Sequence, residues 1–200
     1  MLDYKFEDNK SSRTLVLFHG TGGTKEDLIP IAKMIDSSAN ILSFEGDVDE
    51  AGMKRFFKRK GPGVFDEADL ISRTHNLKAS LDRIIDEKRL NKNHLIAMGY
   101  SNGANIIGSL LYHYESPFKV IFLHHPMMPY SDKEPCKQEG LDVFIGAGKN
   151  DPICSNDQTL GVAKVLRDNG AFVDIHWHDS GHQLTQSELS AAKSFFETKR

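Results

Sequence analysis

Cysteine is scarce in this 200-residue sequence, which holds only Cys136 and Cys154. Two cysteines cannot build a disulfide framework, and their scarcity matches a reducing compartment. Strong charge of either sign is missing too. The formal net charge is −3, which gives no basic footprint for nucleic acid. No apolar run approaches the roughly 20 residues of a membrane span. The opening residues, Met1 to Asp8, hold no apolar stretch followed by a small-residue cleavage pattern. No leader peptide is therefore expected, and the expectation is a cytoplasmic protein that binds neither nucleic acid nor membrane. Metal spacing is lacking as well. His176, His178 and His182 lie close together, but no cysteine or acidic cluster completes a zinc pattern, so no metal and no cofactor is expected.

What is present is an alternation of strand and helix patterns. Residues 1–200 suit one domain with a core of its own. Short apolar runs at 14–18, 40–44, 94–98, 119–124 and 141–147, and an alternating run at 172–177, read as strands; 2–7 reads as a partly polar edge strand. Between them, helical spacing places Leu28, Ile31, Ala32 and Ile35 on one face behind a Thr24 cap. The same spacing sets Leu70, Leu77, Leu81 and Ile84 along a long helix over 66–90. Ser155 with Gln158, and Thr185 with Glu188, read as capping boxes that open two further helices. Residues 45–65 are long, charged and aperiodic, as functional or mobile loops are. Strand–helix alternation predicts a mostly parallel central sheet with helices on both faces and no large cap domain, and ligand sites beyond the carboxyl ends of its strands.

The residues at those ends carry chemistry. Gly99-Tyr100-Ser101-Asn102-Gly103 reads G-x-S-x-G between the 94–98 strand and a helix over 105–114, the context of a nucleophile elbow. Side chains at 99 and 103 would clash in so tight a turn. A serine needs a base, and the base needs an orienting group. Asp151 follows the 141–147 strand, and His182 follows the last strand. Asp179 is the rival carboxylate, but it shares its loop with His182. The expected roles are Ser101 as nucleophile, His182 as general base then acid, and Asp151 as its orienter. The oxyanion donors expected are the backbone N–H of Asn102 and, from the His19–Gly23 loop, that of Thr21. That loop lacks the spacing of a phosphate-binding glycine loop.

Phe18-His19-Gly20-Thr21-Gly22-Gly23, the Ser101 pentapeptide, Asn150-Asp151-Pro152 and Gly181-His182 together resemble the phospholipase/carboxylesterase family of small α/β-hydrolases. The resemblance extends from Leu15 to Phe196. Residues 52–59 and 63–70 look most like the bacterial carboxylesterase and hydroquinone-stress hydrolase branch, which is related to acyl-protein thioesterases. It implies an α/β-hydrolase fold and metal-free hydrolysis of a small-molecule ester through an acyl-enzyme, often by a homodimer. Tyr100 and Asn102 depart from the residues that acyl-protein thioesterases usually carry around the serine, which argues against protein-bound lipid as substrate. The expected activity is a serine carboxylesterase acting on small acyl or aryl esters. A thioesterase or lysophospholipase is the second enzymatic reading, and a non-catalytic ligand-binding protein on a hydrolase shell is the reading from another class. Phe56, Phe57 and Phe65, within or after a basic run, and Met127 and Met128, after a strand end, are the expected pocket walls.

Overall fold

The apolar run 14–18 forms a strand whose five residues are all buried, and the sheet is laid out around it. In chain order the computed structural model, which describes residues 1–199, contains β1 (Tyr4–Glu7), β2 (Thr14–Phe18), α1 (Ile29–Ile35), β3 (Asn40–Phe44), β4 (Val48–Glu50), β5 (Met53–Arg55), β6 (Arg59–Gly61) and β7 (Val64–Phe65). Then come α2 (Glu67–Lys88), β8 (Leu95–Tyr100), α3 (Asn102–His113), β9 (Val120–His124), β10 (Asp142–Gly148), α4 (Asn156–Asp168), β11 (Phe172–His178) and α5 (Gln186–Glu197). Side chains alternate across β2. Leu15 and Leu17 enter the core shared with α1 and α5, while Val16 and Phe18 enter the core shared with α2, α3 and α4. A strand apolar on both faces needs helices on both, and its backbone needs neighbours on both edges.

Those neighbours are parallel. The seven-stranded sheet runs β1-β3-β2-β8-β9-β10-β11, and β1 alone pairs antiparallel. The mostly parallel sheet with helices on both faces expected from the alternation is therefore present. No helix among the described residues is long and apolar enough to cross a membrane.

Two local expectations are corrected. Thr24 does not open the first helix. Its hydroxyl instead bonds Asp27 Oδ1 at 2.7 Å within a turn, and α1 begins at Ile29 with Pro30 in its first turn. Proline suits that position because a first-turn N–H has no intrahelical acceptor. Residues 45–65 are not one structureless loop. They fold into two small hairpins, β4–β5 and β6–β7, whose strands of two or three residues are too short to show a period.

Parallel strands deliver all their carboxyl ends to one edge of the sheet. The His19 loop, Ser101, His125, Asp151 and the 179–182 loop each follow a strand of the seven and so share that edge. A very tight backbone crossing lies there. A Cβ on Gly103 would sit 1.9 Å from the Phe18 carbonyl oxygen, and one on Gly99 would sit 2.6 Å from the Gly103 carbonyl carbon. Both partners are backbone atoms and cannot rotate away. Gly103→Ala should therefore lower stability by about 3 kcal/mol, against the usual gain of alanine in a helix. Urea unfolding checks this, and an unchanged midpoint would contradict the crossing.

Candidate active site

Ser101 sits where β8 turns into α3, with φ 51° and ψ −111°. This is strained backbone for a side-chain-bearing residue. The Ser101 N–H donates to the His124 carbonyl at 2.8 Å, and the start of α3 fixes the other side. The turn points Oγ at His182, with Oγ to Nε2 at 2.8 Å. His182 Nδ1 lies 2.7 Å from Asp151 Oδ2. A carboxylate only accepts, so His182 carries its proton on Nδ1, leaving Nε2 as the acceptor for the serine hydroxyl. The Tyr100 hydroxyl donates to the His182 carbonyl at 2.8 Å and anchors the loop that carries the histidine. In the sequence Tyr100 shows only as a residue flanking the serine.

Burial pushes His182 below the ordinary histidine range, and the nearby Asp151 carboxylate only partly opposes it. Burial favours the neutral acid at Asp151, but its donors win and hold it below the usual carboxylate range. The N–H groups of Ile153 and Cys154 reach Oδ1 at 2.8 and 3.0 Å, while His182 and His125 share Oδ2. Asp179, the rival carboxylate, points elsewhere and pairs with Lys149 at 2.8 Å in solvent. Beside Asp151, the Cys154 thiol is pushed up to about 11 by burial and stays protonated near neutrality.

The glycine-rich loop opposite Ser101 is pinned by the β4–β5 hairpin. His19 Nδ1 donates to the Gly20 carbonyl at 2.6 Å, and His19 Nε2 accepts from Gly46 N–H at 3.0 Å. Gly22 N–H donates to the Lys54 carbonyl at 2.9 Å. The buried Arg55 guanidinium donates to Thr21 Oγ1 at 2.6 Å and to the Phe57 carbonyl at 3.1 Å. Phe56 N–H donates to Asn102 Oδ1 at 2.7 Å. One short segment thus holds both Thr21 and Asn102. The Asn102 N–H stands at the first position of α3, where no intrahelical acceptor exists.

A cavity of about 260 Å³ opens over Ser101. Phe65, Met53, Met127 and Ile153 form its apolar wall, and Arg55 and Arg59 its cationic one. Phe65 and Met127, two of the expected wall residues, line this cavity. Phe56, Phe57 and Met128 are corrections. Phe56 and Phe57 are 0% exposed. Phe56 packs on Phe18 and His19, and Phe57 backs Phe65 edge-on at 5.0 Å. In a segment with so many charges, these two rings supply the apolar area that anchors it, so they turn inward. Met128 turns away toward α4, where its N–H meets Gln158 Oε1 at 2.8 Å and its side chain faces Gly161.

Beneath the site lies a cluster that sequence reasoning missed. Glu188, expected as half of a capping box, accepts nothing from the cap. Its N–H meets Thr185 Oγ1 at 3.3 Å, but its carboxylate is fully buried against His124 Nδ1 at 2.5 Å. His178 Nε2 and His125 Nε2 lie 3.3 and 3.5 Å from Glu188 Oε2. These atoms are close enough to surround a cation. However, His178 Nδ1 accepts from Ser180 N–H at 3.3 Å, so its proton sits on Nε2, the atom a metal would need. His182 Nδ1, which faces Asp151 and His125, likewise carries a proton toward the carboxylate. The donor set fits protons between rings and carboxylates better than a metal ion.

The two phenylalanines that meet edge-on should separate experimentally. Phe57→Ala should cost about 3–5 kcal/mol of stability through the cavity it leaves. Phe65→Ala should cost less and act mainly on KM for an aryl or acyl ester, as removal of a pocket wall does. Parallel denaturation and steady-state kinetics check both.

No family model matches the chain. Individual proteins do. It is 46% identical over 192 residues to "Putative hydrolase MhqD" of Bacillus subtilis (strain 168), covering 96% of each. The Bacillus cereus carboxylesterase superposes with a TM-score of 0.97 at 44% identity, over 100% of this chain and 95% of that one. YahD, solved with malic acid, gives 0.94 at 32% identity over 100% of both. With a hydrolase and a carboxylesterase matched over nearly their full lengths, the chain belongs to the phospholipase/carboxylesterase family of small α/β-hydrolases.

Proposed function

We propose that this protein is a serine carboxylesterase that hydrolyses small acyl or aryl esters through an acyl-enzyme. The observation that carries the reading is the unbroken chain Ser101 Oγ, His182 Nε2, His182 Nδ1, Asp151 Oδ2, with links of 2.8 and 2.7 Å, at a strained turn open to a cavity. Ser101 Oγ attacks the ester carbon while His182 Nε2 takes its proton. The carbonyl electron pair moves onto oxygen, toward the N–H groups of Asn102 and Thr21. Such donors are worth roughly 3 kcal/mol each in a transition state. Collapse breaks the ester C–O bond, and His182 returns its proton to the departing alcohol. Water then gives a proton to His182 and attacks the acyl carbon; collapse breaks the bond from that carbon to Ser101 Oγ, His182 returns the proton to Oγ, and the acid leaves. The pinning of Thr21 by Arg55 supports preorganisation, because a donor fixed in advance needs no rearrangement as charge develops.

The cavity supports a small substrate. Its volume of about 260 Å³ is below the range usual for drug-sized ligands, which favours a short acyl group beside the alcohol. Arg55 and Arg59 share a single carboxylate, Glu50, so this wall keeps a positive excess. An ester that also carries an anionic group suits it, and the malic acid in the YahD structure, a small dicarboxylic acid, fits the same chemistry.

Hydrolysis of a p-nitrophenyl ester series from acetate to octanoate tests the reading. Activity should be greatest at short chains, and Ser101→Ala should lower kcat on the order of 10⁶-fold. Retained turnover in that variant would remove Ser101 from the chemistry. His182 must be neutral to act as base and is held low by burial. So kcat/KM should rise with pH through a limb below about 6.5, the ordinary histidine value. A limb above 7 would contradict the burial argument.

A further inference from the structure

Asp151 and Glu188 bring two buried carboxylates to the base of the site, both held ionised by their hydrogen bonds. Buried anions are costly unless a cation or strong donors meet them. Among the described residues, the titratable groups facing this region are His124 at the end of β9, His178 at the end of β11, His182 in the following loop, Tyr100 at the end of β8, the protonated Cys154 thiol beside Asp151, and His125 itself. Their bonding decides which ring holds the positive charge. His124 meets a carboxylate at Nδ1 only. His178 uses the Nδ1 lone pair to accept from Ser180. His182 uses the Nε2 lone pair for Ser101. Tyr100 donates to the His182 carbonyl. His125 alone has a carboxylate oxygen at each nitrogen: Asp151 Oδ2 at 2.8 Å from Nδ1, and Glu188 Oε2 at 3.5 Å from Nε2.

We propose that His125 is a buried imidazolium between Asp151 and Glu188, a positioning residue that holds Asp151 in place and sets the basicity of His182. The inference rests on the role proposed above for Ser101, His182 and Asp151. Burial alone would drive the proton off His125, but the two carboxylates outweigh it and raise its affinity above the ordinary histidine range. Backbone geometry is committed to the arrangement. His125 is held at φ 55°, with its N–H on the Gly146 carbonyl at 2.8 Å. Gly146 has no side chain where the Glu188 carboxylate lies, since a Cβ there would be 1.8 Å from Oε1. The effect on His182 follows from charge. The ring centroids of His125 and His182 are 5.0 Å apart. A fixed cation at that distance, bonded to the same carboxylate oxygen, opposes protonation of His182 and keeps it available as a base at lower pH.

Two measurements on the full-length protein test this. The first is the two-bond ¹H–¹⁵N correlation spectrum of the histidine rings between pH 6 and 9. His125, assigned by loss of its signals in His125→Gln, should show both nitrogens protonated and shifted alike up to at least pH 8. A neutral-tautomer pattern at pH 7 would overturn the proposal, even if the variant served only as an assignment control. The second is the pH profile of kcat/KM in His125→Gln, where glutamine keeps an N–H donor for Asp151 but no charge. The acid limb should move up by about one to two pH units. A limb that stays put while stability falls would assign His125 a purely structural role. Persistent activity in Ser101→Ala would sink the esterase mechanism, whereas the protonation pattern of His125 is read without any turnover.

Discussion

Asp151 is an anion taken out of water, and its surroundings are built to keep it charged. The first two residues of the turn after Pro152 offer their N–H groups to Oδ1, and two histidines from different segments offer ring nitrogens to Oδ2. A carboxylate so saturated has no freedom to turn, and it fixes the tautomer and direction of His182. The strained turn at Ser101 has value only because that histidine is already aimed at it. The parallel sheet makes this convergence available, since it brings the carboxyl ends of β2, β8, β9, β10 and β11 to one edge.

The hairpins over 45–65 act on the opposite wall. Their backbone and Arg55 bond the His19–Gly23 loop and the Asn102 side chain, and two aromatic rings root them in the core beneath. A segment that is highly charged in sequence is therefore secured from below by apolar burial and from the side by hydrogen bonds. This leaves Arg59 and Phe65 at the cavity. The same division explains how a chain without a large cap domain can enclose a pocket of about 260 Å³.

Much of this was legible in residue order. The alternation of apolar runs with helical stripes gives the sheet and its two helical layers, because burial on both faces leaves a pattern in each strand. The spacing of Gly99, Ser101 and Gly103 reports a crossing too close for a Cβ. Asp151 and His182 were readable because each directly follows a strand and chain order limits the choice. Asp179 was harder to dismiss from sequence, and its exposed pairing with Lys149 removes it.

The class of fold, the sharp turn at Ser101 and the acid and histidine that meet there could be read from residue order, since these depend on local period, backbone sterics and position relative to a strand end. Which way individual side chains face depends on packing between distant segments. That packing turned Phe56 and Phe57 into the core, brought Arg55 to Thr21, and drew Glu188 off its helix cap into a cluster of three histidines from two strand ends. The physical reason is that these contacts join residues far apart in the chain. Their stability comes from desolvation and charge pairing that exist only once the segments have met.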